Sequence, residues 1–108
     1  MRKTLMIIAG AILVSALLGG CTWVKPTPAG EKVVVLSTAE VKKCERLGHT
    51  TVSVLSKMAG IERHQEKVEA ELKTLARNTA AEIGGDAVVP ESEIKDGQQR
   101  FGVYRCRP

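Results

Sequence analysis

Aromatic side chains are scarce: Trp23, Phe101 and Tyr104 make up 3% of the 108 residues. Without more of them there is no stacking platform for single-stranded nucleic acid. No block of basic charge stands in their place. Lys42-Lys43 and Arg105 with Arg107 are the densest spots, too sparse for a nucleic-acid patch. Nucleophile machinery is missing too. Ser37, Ser53, Ser56 and Ser92 lie in no Gly-x-Ser-x-Gly elbow, and the cysteines form no Cys-x-x-Cys. His49 and His64 are the only histidines, and neither has a Cys or His at zinc-ligand spacing. Gly84-Gly85-Asp86 follows a helical stretch instead of opening one, so it is no phosphate cradle. The carboxylates Glu62, Glu66, Glu69, Glu71 and Glu82 spread around that stretch as a solvated face. These absences predict a protein that is not an enzyme, uses no metal and no cofactor, and binds no nucleic acid.

The apolar run from Leu5 to Leu18 is broken by Gly10 and Ser15. It is shorter than the roughly 20 residues that a spanning helix needs. Met1-Arg2-Lys3 precedes it and Leu18-Gly19-Gly20-Cys21 ends it. A basic start, a short apolar stretch and small residues at a cut mark a secretory signal peptide, here residues 1–20. A small residue directly before Cys, with Leu three before it, resembles the bacterial lipobox. The resemblance implies cleavage before Cys21, diacylglycerol on its thiol and acylation (palmitate, for example) of the new amino terminus. Two or three acyl chains anchor stably where one does not. An uncleaved anchor with an incidental Cys is the rival reading. In Gram-negative lipoproteins Asp after the Cys signals inner-membrane retention. Thr22 stands there instead, which implies the outer membrane, facing the periplasm. Trp23 suits the headgroup level or an idle linker equally.

Losing Arg2 and Lys3 lowers Lys+Arg from 16 to 14 against 12 Asp+Glu, so the formal charge falls from +4 to +2. Pro26, Pro28 and Gly30 predict an extended tether over residues 21–32. Such a tether reaches roughly 30 Å from the lipid. The domain is then residues 33–108, near the size at which one core is marginal without a staple. With Cys21 set aside, Cys44 and Cys106 remain in an oxidising compartment, where pairs form disulfides. Two free thiols or a metal pair are the alternatives.

The fold class expected is α/β (α+β): a small β-β-α-β-β domain, one helix packed on a mixed sheet, stapled by one disulfide. Val33–Leu36 and Leu47–Leu55 are β-branched runs that predict strands. From Ile61 the period changes: Ile61, Val68, Leu72, Leu75, Thr79 and Ile83 form one helical stripe. Glu69 and Lys73 make an i,i+4 pair on the same helix. Gly84-Gly85 predicts the helix stop. Ala87 to Cys106 predicts a hairpin turning near Asp96-Gly97. If the second and third strands are parallel, the helix is their crossover and the last strand runs antiparallel to both. Cys44 and Cys106 then share one sheet edge.

Several segments together carry a wider resemblance. They are Val41-Lys42-Lys43-Cys44-Glu45-Arg46-Leu47-Gly48, Ala80-Ala81-Glu82-Ile83-Gly84-Gly85-Asp86-Ala87-Val88-Val89, and the closing Val103-Tyr104-Arg105-Cys106. With the lipobox and the Pro/Gly tether they resemble a family of small bacterial lipoproteins carrying a domain of unknown function. That family is distantly similar to the outer-membrane stress-sensor lipoprotein of the Rcs phosphorelay, which has two disulfides where only one can form here. The resemblance implies a small periplasmic α/β domain with a disulfide. The expected function is a non-catalytic interaction or sensing module. It would be held to the membrane by its N-terminal lipid and would present a sheet edge, or the Arg100–Arg107 strand, to an envelope protein. One alternative is a metal or small-ligand module using His49, His64 or a pocket under the helix. Another is a thiol-redox protein using Cys44 and Cys106.

Overall fold

The computed structural model describes residues 24–58 and 60–107. The expected signal peptide (residues 1–20), Cys21, Thr22 and Trp23 lie outside the described residues. The expected small α+β domain is present. Its strands are β1 (Val34–Val35), β2 (Glu45–Ser53), β3 (Lys57–Met58), β4 (Ile61–Glu62), β5 (Ala87–Pro90) and β6 (Gln98–Arg105). One helix, α1, spans Gln65–Glu82. The main sheet runs β1-β5-β6-β2. β1 pairs parallel with β5, while β6 is antiparallel to both β5 and β2. β2 and β5 therefore point the same way, but with β6 between them. The Arg100–Arg107 stretch is thus interior to the sheet and offers no edge. Among the described residues the outermost strands are β1 and β2.

Helix α1 covers one face. Its buried row is Val68, Leu72, Ala76 and Ala80, packed with Val33, Val52, Val88, Phe101 and Val103. Two ends of the expected stripe fall outside it: Ile61 is 72% exposed and Ile83 50%. The helix starts at Gln65, four residues later than the period from Ile61 predicts. Gly60 turns with a φ of 79°, and Met58 pairs with Ile61 in a small hairpin. The Arg63 N–H then donates to the Ser56 carbonyl at 2.9 Å, and its guanidinium donates to the Leu55 carbonyl and ion-pairs with Glu71. That anchored hairpin holds Ile61 and Glu62 extended. The alanines complete the stripe because their small side chains let the helix backbone lie close to the sheet.

The helix stops where Gly84-Gly85 predicts. Gly84 takes a φ of 84°, its N–H donates to the Ala81 carbonyl, and the Gly85 N–H donates to the Ala80 carbonyl. That is the Schellman pattern, which needs a left-handed residue after the cap. Asp96 and Gly97, at φ 51° and 72°, sit between Lys95 and Gln98, whose backbones exchange hydrogen bonds at 3.0 Å. Two consecutive left-handed residues match the right-handed twist of the flanking strands.

The span expected as a free tether is folded onto α1 from Lys25 onward. Asn78 donates from Nδ2 to the Lys25 carbonyl at 2.9 Å, and its Oδ1 accepts the Thr27 N–H at 2.9 Å. Arg77 donates to the Val33 and Glu31 carbonyls, each at 2.8 Å. Gly30 is buried against Asn78, with no room for a Cβ. The expected extended backbone is not kept past the prolines: Ala29 is helical and Gly30–Lys32 form one 3-10 turn, so the Glu31 and Val33 carbonyls face donors on the helix.

Candidate functional site

Side chains alternate across a strand. Phe101 and Val103 point to the helix, so Arg100, Gly102 and Tyr104 point to the opposite, open face. The register sets Thr51 beside Arg100, His49 beside Gly102 and Arg46 beside Tyr104. Glu91, just after β5, joins this face. Both of its carboxylate oxygens accept from Arg46 Nη2, at 2.9 and 2.8 Å, and Arg100 Nε lies 3.4 Å away. The carboxylate rests directly over Gly102, where a Cβ would collide with it. Arg46 also lies over the Tyr104 ring, 5.9 Å from its centre. The Glu91 bonds foremost, then the Tyr104 hydroxyl, push the Arg46 pKa above its ordinary value. The Arg46 guanidinium therefore keeps its charge. The Arg46 side chain is 41% exposed, so solvent screening leaves the pair little net stabilising weight. Beside it, the edge of β2 is unpaired among the described residues.

The disulfide lies at one end of this sheet. Cys44 immediately precedes β2 and Cys106 immediately follows β6. Glu45 pairs with Arg105, which brings the two cysteine Cα atoms to 4.4 Å, and their sulfurs are bonded. Asp86 secures the same end: its two oxygens accept the Cys106 and Arg107 N–H groups at 2.8 and 2.9 Å. Burial works against its charge most strongly. The two N–H bonds and the Arg107 and Arg105 charges together outweigh it and hold the carboxyl below its usual value. A group with a lowered folded pKa stabilises above its unfolded pKa of about 3.9, and that stability is lost as pH falls through the folded value. Asp86→Asn is expected to cost about 2 kcal/mol at pH 7, since bonds to a charged group are the stronger kind. Thermal melts from pH 7 to pH 2 check this. The variant and the parent should differ at neutral pH, begin to converge as the pH falls below about 4, and coincide only once it has passed below the folded value.

His49 is exposed on β2, and His64 is exposed at the residue before α1. No three His, Cys, Asp or Glu side chains among the described residues form a group able to hold a metal. Beneath α1 the space is filled: Leu72, Ala76, Ala80, Phe101 and Val103 are all 0% exposed. The middle of α1 therefore leaves no space beneath it, while an open groove of about 550 Å³ lies at its side, lined by Leu36, Glu40, Glu69, Lys73, Val89 and Gln99. Sequence reasoning missed Asn78, Arg77, Asp86 and the Arg46–Glu91 pair. Their partners lie 20 to 53 residues away, so no local pattern marks them.

The fold and this face define a class: a small disulfide-stapled α+β domain with one covered and one open sheet face. The model of the family described as Domain of unknown function (DUF4156) matches residues 24–106, and the chain belongs to that family. The match begins where the chain docks on α1, so the docked segment belongs to the domain. No curated protein and no solved structure matches the chain.

Proposed function

We propose that this chain is a lipid-anchored protein of the bacterial outer membrane that works from the periplasmic side by contact with an envelope protein. The observation that carries the contact reading is the nine-residue strand β2, unpaired on its outer edge beside the Arg46–Glu91–Arg100 clasp. A sheet edge with free backbone groups accepts an added strand, and flanking side chains set which strand it takes. The bulge at Arg46 to Gly48 closes part of the edge, so the stretch from His49 to Ser53 is the usable one. Support for the anchor is Leu18-Gly19-Gly20-Cys21 after a basic start and an apolar run.

Intact mass of membrane-extracted protein tests the anchor. The expected chain starts at Cys21 and carries acyl groups, and Cys21→Ala should leave it uncleaved and unacylated. A free Cys21 thiol in the extracted protein would end the reading. A photo-crosslinker tests the contact. Placed at His49 or Thr51 in living cells, it should give one defined adduct, and at Glu66 on the helix none. Arg46→Ala should abolish the adduct while leaving the melting temperature essentially unchanged, since an exposed ion pair stabilises little. Equal crosslinking from all three positions would refute the edge. Similarity to the Rcs sensor would add stress signalling; unchanged reporter output in both deletion and overexpression strains would remove that role.

A further inference from the structure

The anchored end of the domain is its basic end. Asn78 holds Lys25 through its carbonyl, so Cys21 is only four peptide steps from docked backbone. Those steps span at most about 14 Å, less than half the reach of a free tether. The domain cannot swing away from its lipid, and the pole around the end of α1 must meet the membrane. At that pole a groove of about 540 Å³ is lined by Lys32, Gly84, Gly85, Asp86, Arg105 and Arg107, among others. Lys42 and Lys43 precede Cys44, which is bonded to Cys106 between the two arginines. Lys25, Lys32, Lys42, Lys43, Arg105 and Arg107 are all exposed.

Acidic neighbours at this pole are Glu31, Glu45, Glu82 and Asp86. Glu45 lies 3.5 Å from Arg105, and the Asp86 carboxylate is occupied by two backbone N–H groups. The cations therefore remain in excess here, while the rest of the domain is close to balanced. From the short docked leash and this one-sided charge, we propose that the pole binds the surface of acidic phospholipids. It would hold the domain upright, with α1 rising from the bilayer and the β3–β4 hairpin at the far end. The inference rests on the anchor at Cys21.

The test uses the protein extracted from membranes and reconstituted in vesicles. One set is zwitterionic; the other carries 30 mol% phosphatidylglycerol. A membrane-impermeant amine reagent and mass spectrometry then read each lysine. Labelling of Lys32, Lys42 and Lys43 should fall about five-fold in the acidic vesicles, the equivalent of about 1 kcal/mol per cation near such a surface. Lys57 and Lys95, at the other end, should not change. High salt should remove the protection, and Arg105→Glu with Arg107→Glu should reduce it at Lys42 and Lys43. Equal labelling in the two vesicle types would overturn the proposal. So would the same protection from inorganic phosphate without lipid, which would point to a small-anion site. If the protein carries no acyl chain, it will not float with zwitterionic vesicles and the anchor reading fails separately. Unanchored protein mixed with acidic vesicles then decides the pole by the same labelling.

Discussion

Replacing Cys44 and Cys106 together by alanine should lower the unfolding free energy by about 4 kcal/mol. The crosslink joins residues 62 apart in sequence. Closing a loop of that length restricts the unfolded chain, and the chain-entropy relation gives about 4 kcal/mol at 25 °C. A domain of this size shifts by roughly 4–8 °C per kcal/mol, so the melting temperature should fall by about 20 °C. The double variant is the better test than a single one, because it leaves no unpaired thiol. Reduction of the parent should reproduce the shift. A fall of less than about 5 °C would mean that Asp86 and the β2–β6 pairing hold this end without the bond.

Phe101→Ala should cost about as much, roughly 3–5 kcal/mol. Phe101 is 0% exposed and belongs to the cluster of Leu72, Val88 and Val103. It sits in the central strand, with Thr50 on one side and Pro90 on the other, so the sheet cannot easily collapse into the space left. Urea unfolding should show a lower midpoint with an unchanged slope. Phe101→Leu should recover most of the loss, because it restores most of the volume. A cost under about 1 kcal/mol would contradict the burial. Five residues of strand, about 17 Å, separate Phe101 from Cys106, so the two losses should add. Together they approach the whole stability of an ordinary domain, about 5–15 kcal/mol. The triple variant should therefore be largely unfolded at 37 °C.

The elements legible in the sequence are those whose cause is local. Gly84-Gly85 stops α1 because only a residue free of a Cβ clash takes the left-handed cap at low cost. Asp96-Gly97 turns the hairpin for the same reason. The Val- and Thr-rich runs make strands wherever they pair. Cys44 and Cys106 could be matched by counting cysteines. The helix start is not legible in the sequence because Ile61 fits the helical period as well as it fits β4. What decides is Arg63, whose partners are the Leu55 carbonyl and Glu71. Ala76 and Ala80 leave little trace in the sequence because periodicity weighs bulk, while close helix–sheet packing selects for small side chains.

From the sequence alone come the kind of domain, its staple, its turns and the expectation of an anchor at Cys21, since short-range sterics, periodicity and cysteine number suffice for them. Only the tertiary structure decided that β6 lies inside the sheet and β2 at its edge. It alone decided that residues 25–33 dock on Arg77 and Asn78, that Glu91 reaches Arg46, and that the exposed cations near the two chain ends gather at one pole. Each of these depends on groups tens of residues apart meeting after the chain has collapsed. The hydrogen bonds and ion pairs involved are made by residues with no distinctive spacing, and so leave no periodic trace.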